Sequence, residues 1–134
     1  MSNRSWIVTP EDLSKGDLAN PGWHPAEIIK YDDGEAGEES KNPGSATAIF
    51  VFKIIDGPNK GIECKRLFSE VAWGFGKSFF ATMNYPKDEK GNYKLSSDLF
   101  NQSVGHKLQI YIKRGKTNKG NEFNEVADFR PMVG

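Results

Sequence analysis

The sequence has a single cysteine, Cys64, so no internal disulfide can staple it. Its two histidines, His24 and His106, have no Cys, Asp or Glu at metal-ligand spacing, and no H-E-x-x-H occurs. No apolar run approaches the roughly 18 residues that a membrane helix needs. The start "MSNRSWIVTPEDL" also lacks the apolar segment of a signal peptide. Net charge is absent too, with 18 basic and 18 acidic side chains among 134 residues. These absences argue against a disulfide scaffold, a zinc module and a helical membrane protein. They leave one domain over residues 1–134, expected in a reducing cytoplasm.

Strong catalytic signatures are missing as well. Cys64 has no C-x-x-C partner and lies in a strand-like stretch, which predicts an inert, buried thiol. "FGKS" ends like a Walker A loop, but that motif requires glycine where Val71 stands, so a nucleotide triphosphatase is excluded. A helix start there, beside Lys77, is the plainer reading. "DDGEAGEES" is rich in carboxylates, yet its spacing does not match an EF-hand, and a solvated acidic loop is expected. No enzyme and no cofactor follow from these residues.

What is present is a lopsided charge distribution. Residues 1–44 carry 4 basic and 9 acidic side chains, and residues 45–134 carry 14 basic and 9 acidic. The segment from Lys107 to Gly120 holds Lys107, Lys113, Arg114, Lys116 and Lys119 with no acid, and its glycines suggest a flexible basic spur. Such local asymmetry points to an anionic partner.

The patterning is that of strands. A leader, 1–21, has a short helix expected at "TPEDLSKG", where Thr9 is an N-cap and Pro10 a first helical residue. "GWHPAEIIKY" alternates, with Ala26 and Ile28 on one face and Glu27, Ile29 and Tyr31 on the other. A loop is expected from Asp32 to Ser45. "ATAIFVFKIIDG" and "GIECKRLFSEV" form an antiparallel hairpin about the D-G-P-N-K-G turn, with Phe50, Phe52 and Ile54 in the core. "FGKSFFATMNY" repeats Phe75, Phe79 and Met83 at helical spacing, which puts all three in the core, and "SSDLFNQSVG" adds a capped turn. "HKLQIYIKRG" sets Leu108, Ile110 and Ile112 against Lys107, Gln109, Tyr111 and Lys113, and "NEFNEVADFRP" closes the series.

Five strands with a helix between the third and fourth is the order of an OB-fold, a small Greek-key barrel. The fold expected is therefore all-β with a minor helical part, its barrel over 22–131. In that fold the loops joining strands 1–2 and 4–5 frame a groove for oligonucleotides or oligosaccharides, and the basic spur is the second of them. Single strands are held by cations that track phosphates and aromatics that stack on bases. The candidate nucleic-acid-binding residues are Lys53, Lys65, Arg66, Trp73, Lys107, Tyr111, Lys113, Arg114, Lys116 and Lys119. The competing reading is a protein-interaction or structural β-barrel module, in which the acidic loop or the leader makes the contact.

"GWHPAEI", "FKIIDGPNKG" and "KGNEFNEVADFRP" together resemble the small phage-encoded single-stranded DNA-binding proteins and their relatives in phage replication and recombination. The likeness runs in pieces over about residues 22–131 and rests on turn and core motifs. It implies that Val126 and Phe129 pack the barrel and that Lys116 to Asn121 form the groove-side loop. It also implies single-stranded DNA and replication or recombination proteins as partners. The acidic tail common in that family has no counterpart in "RPMVG"; the acids lie after the first strand instead.

Overall fold

In the computed structural model, which describes residues 5–8, 13 and 16–132, the alternating segments become five strands. They are β1 (Gly22–Glu35), β2 (Ala46–Ile54), β3 (Glu63–Ser69), β4 (Lys107–Lys116) and β5 (Glu122–Pro131). A 3-10 turn (Trp73–Gly76) and two short helices, α1 (Lys77–Thr82) and α2 (Ser97–Gln102), lie between β3 and β4. The helix expected at 9–16 falls mostly on residues outside those described.

All strands join one antiparallel sheet in the order β3-β2-β1-β4-β5. Three hairpin-linked strands with the fourth returning beside the first make a Greek key. The sheet is not closed: β3 and β5 are its two edges. They nevertheless face each other through Phe68 and Phe129, whose ring centroids are 6.1 Å apart. Phe79 of α1 lies 5.2 Å from Phe68 and 4.9 Å from Phe129, and so plugs the gap.

β1 serves both halves of the sheet. Gly22–Glu27 pairs with β4, and Ala26–Glu35 pairs with β2. A bulge between Ile28 and Lys30 adds one residue and reverses the alternation beyond it. Tyr31 therefore points into the core, against Phe50 and Phe100, and not outward with Glu27 as simple alternation predicts. Burial is the main reason its phenol is pushed up to about 12, followed by its hydrogen bond to Asp33. A second bulge, between Val126 and Asp128 on β5, lets Val126 and Phe129, three apart, both face inward.

The core joins Ala26, Ile28, Phe50, Phe52 and Ile54 to Leu108, Ile110 and Ile112. α2 is capped by Ser96, whose hydroxyl accepts from Leu99 N at 3.1 Å. Phe79 and Phe80 of α1 are buried, but Phe75 is 76% exposed. It lies in the 3-10 turn that precedes α1, where threefold winding breaks the four-residue register. Cys64 is buried, and burial above all, with the Glu63 charge next, pushes its thiol up to about 12.

The acidic segment is not all loop. β1 continues through Asp32, Asp33, Gly34 and Glu35, each with a partner on β2. The Asp33 carboxylate accepts from the Tyr31 hydroxyl and, at 2.8 Å, from Ser97 Oγ.

Candidate nucleic-acid interface

Pairing partners lie on the same face of a sheet, so the registers alone assemble its outer surface. Glu63, Lys53, Glu27 and Lys107 follow one another across β3, β2, β1 and β4, a row of alternating charge. Lys53 and Lys107 both reach the outer face, but each has a carboxylate beside it. The next row on β3 and β2 sets exposed Lys65 beside Val51, which in turn pairs with Lys30. Lys30 is engaged with Asp32 at 3.3 Å.

The other half of the face is aromatic. Trp23 of β1 pairs with Tyr111 of β4, and the rings meet edge to face at 5.3 Å. The Arg130 guanidinium of β5 sits 4.1 Å from the Trp23 ring centroid and donates from Nε to Gln109 Oε1. Tyr111 is half-buried against this neighbour, with Asp128 opposite it. Lys113 lies two residues further along and pairs with Glu125. Trp23 and Arg130 escaped the sequence reading. Their signal was phase: Trp23, Pro25 and Glu27 alternate against Ala26 and Ile28, and Arg130 follows core Phe129.

Two candidates face elsewhere. Arg66 shares the inner face of edge strand β3 with Cys64 and Phe68, its guanidinium 5.1 Å from the Phe68 ring. Its Nε is buried without a partner. Trp73 packs its half-buried ring against Phe80 at the margin of the core, 5.9 Å away. Alternation explains Arg66; Trp73 turns inward because the chain bends into the 3-10 turn just after β3.

The spur is largely an ordered hairpin. β4 runs to Lys116 and β5 starts at Glu122, so the turn is 117–121. It is held by Thr117 N to Asn121 O at 2.8 Å, with Gly120 at φ +85°. Folding back brings acids against the basic run: Lys116 pairs with Glu122 and Lys113 with Glu125. Arg114 is a tie, with Nη1 3.2 Å from Glu122 Oε2 and Nη2 donating to the Ala19 carbonyl at 3.0 Å. Asn124 completes the clamp, accepting from Ala19 N at 2.8 Å and donating to the Asp17 carbonyl at 2.9 Å. Lys113, Lys116 and Lys119 remain exposed.

Among the described residues no group of His, Cys, Asp and Glu is placed to hold a metal ion, and no helix is long and apolar enough to cross a membrane. No protein-family model matches the chain, and no curated protein matches it.

Proposed function

We propose that this chain is a non-catalytic, OB-type single-stranded DNA-binding protein that acts in DNA replication or recombination of the phage type. The strand order supports the fold reading. An OB barrel cut between its third and fifth strands has the sequence β3-β2-β1-β4-β5, with a long first strand shared by both halves. In this reading the β3–β5 seam is the place of closure, filled by Phe68, Phe79 and Phe129.

The observation that carries the function is the Trp23–Tyr111 pair with Arg130 on it, on an outer face that also bears Lys107 and Lys113. Aromatic faces stack on any base and neighbouring cations follow the phosphates, so this arrangement suits single strands of any sequence. A duplex hides its base faces and gains little from such a surface.

The test is a titration of Trp fluorescence with a single-stranded oligonucleotide and with its duplex, at low and high salt. The single strand should quench fluorescence and bind more tightly. With about three phosphates engaged, log Kobs should fall against log salt with a slope of about -2. No binding at low salt, or equal affinity for duplex, overturns the reading.

A further inference from the structure

We propose that Arg130 is a base-stacking residue and not a phosphate clamp: a base lies on its guanidinium, Trp23 is the layer beneath, and Gln109 is the positioning residue that holds it there. This role rests on the single-strand reading and fixes which surface of that site meets the base. Arg130 starts on edge strand β5 and ends over a ring on β1, two strands away, a reach of about 10 Å across β4. Two partners hold its end. The guanidinium carbon is 4.1 Å from the Trp23 ring centroid, and Nε donates to Oε1 of Gln109, the β4 residue paired with Arg130. Trp23 is half-buried, with Arg130 over its ring and Tyr111 against it at 5.3 Å, whereas Arg130 is exposed. A base that approaches this face of the indole meets the guanidinium first.

A guanidinium is a delocalised plane, and bases stack on it as they do on aromatic rings. The surroundings of Arg130 favour that use over a phosphate contact. Asp128 lies two residues earlier on β5, exposed and paired with Tyr111, so a phosphate drawn to Arg130 also meets a carboxylate. A neutral base meets no such repulsion. Lys107 and Lys113, exposed on β4, are flexible point charges that can swing away from their acidic neighbours to follow a phosphate. Arg130 is committed to Trp23 and Gln109 and cannot.

The experiment is fluorescence anisotropy of a labelled single-stranded oligonucleotide titrated with the full chain at several salt concentrations, beside a strand of the same length made of abasic sites. Arg130→Lys keeps the charge and loses the plane; Arg130→Gln loses the charge and keeps a smaller plane. Both changes are at an exposed site and should leave the fold intact. Stacking predicts that Arg130→Lys binds the base-bearing strand at least about tenfold more weakly with an unchanged salt slope, and that Arg130→Gln also leaves the slope unchanged. On the abasic strand, Arg130→Lys and wild type should bind alike. Gln109→Leu, which unpins the guanidinium but keeps its charge, should weaken binding only to the strand that has bases. If Arg130→Lys binds as wild type does, or Arg130→Gln lowers the slope by about 0.7, Arg130 is a phosphate contact and the proposal is overturned while the single-strand reading stands. Equal losses on both strands for Gln109→Leu also overturn it. Wild type that binds no single strand at low salt removes both.

Discussion

The β1–β2 and β4–β5 hairpins share a backbone device and put it to opposite uses. Each has a strand glycine paired with a larger residue whose side chain lies across it: Gly34 under Thr47, and Gly115 under Phe123. Neither glycine has a positive φ, so space and not conformation is what each supplies. In β1–β2 the covering side chain is small and buried, and the acidic turn leans over it to wall a groove. In β4–β5 it is an exposed ring on a basic tip. A close approach of backbone and side chain thus makes a cleft in one hairpin and a knob in the other, and the local charge tells them apart.

The largest effect should come from cutting what joins the two halves. Phe79 touches Phe50 on β2 at 4.9 Å and Phe129 on β5 at 4.9 Å, and it is fully buried. Phe79→Ala should cost about 3 to 5 kcal/mol in chemical denaturation, because the aromatic core cannot collapse around so large a void. A loss below about 1 kcal/mol would mean that the two halves are stable without the plug. The glycine pair sharpens the contrast. Gly34→Ala drives a methyl onto the buried Thr47 hydroxyl and should cost about 1 to 3 kcal/mol. Gly115→Ala meets a ring free to swing into solvent, and should cost less than about 1 kcal/mol. Equal costs would erase the distinction between cleft and knob.

Tyr111→Ala tests the aromatic surface that lies between the hairpins. Loss of a stacking ring should weaken single-strand binding by about 1 to 3 kcal/mol, with Tyr111→Phe close to wild type and the salt slope unchanged. Unchanged affinity in a folded Tyr111→Ala protein would leave the β4 face without a nucleic-acid role. At the base of the acidic hairpin the effect is smaller and appears only in acid. The Tyr31 hydroxyl first, and Ser97 next, hold the Asp33 carboxyl below its ordinary 3.8. A lowered folded value means that the stability it contributes is complete at neutral pH and disappears as pH falls below about 3.8 toward the folded value. Asp33→Asn should flatten the stability profile there, seen in melts across acidic buffers, and an unchanged profile would show that these bonds contribute nothing.

Period-two patterning made β2, β3, β4 and the inward set Leu108, Ile110 and Ile112 legible in advance, and turn chemistry located Gly57. It failed at bulges and bends, where one residue changes the face of all that follow. Tyr31 lies beyond the β1 bulge, and Phe75 lies in a 3-10 turn in front of the helix whose spacing seemed to include it. The acids after Tyr31 were read as loop because like charges repel, yet pairing with Ala46 to Ile49 satisfies their backbone and holds them in a strand. The candidate site was legible only as composition. A run of bases says nothing about the acids that a hairpin folds against it, nor that Arg114 reaches across to hold Ala19 of the leader.

The finest division of that run is the last prediction, and it concerns Arg114 and Lys119. Arg114 is two residues from core Ile112 on the same face, and it ties Ala19, which is fully buried, to Glu122. Arg114→Ala should lower stability by about 1 kcal/mol, since it removes a charged donor from a part-buried carbonyl, and should leave the salt slope of single-strand binding unaltered. Lys119 stands in the exposed turn 117–121, where side-chain changes move stability by less than about 0.5 kcal/mol. If its ammonium meets a phosphate, Lys119→Ala should reduce the slope by about 0.7, the counterion share of one contact to a single strand, with the melting temperature unmoved. Titrations at four or more salt concentrations beside a thermal melt separate the two residues. A slope that follows Arg114, or a melt that follows Lys119, would exchange their roles; a slope that follows neither leaves the tip of the basic hairpin without a nucleic-acid role.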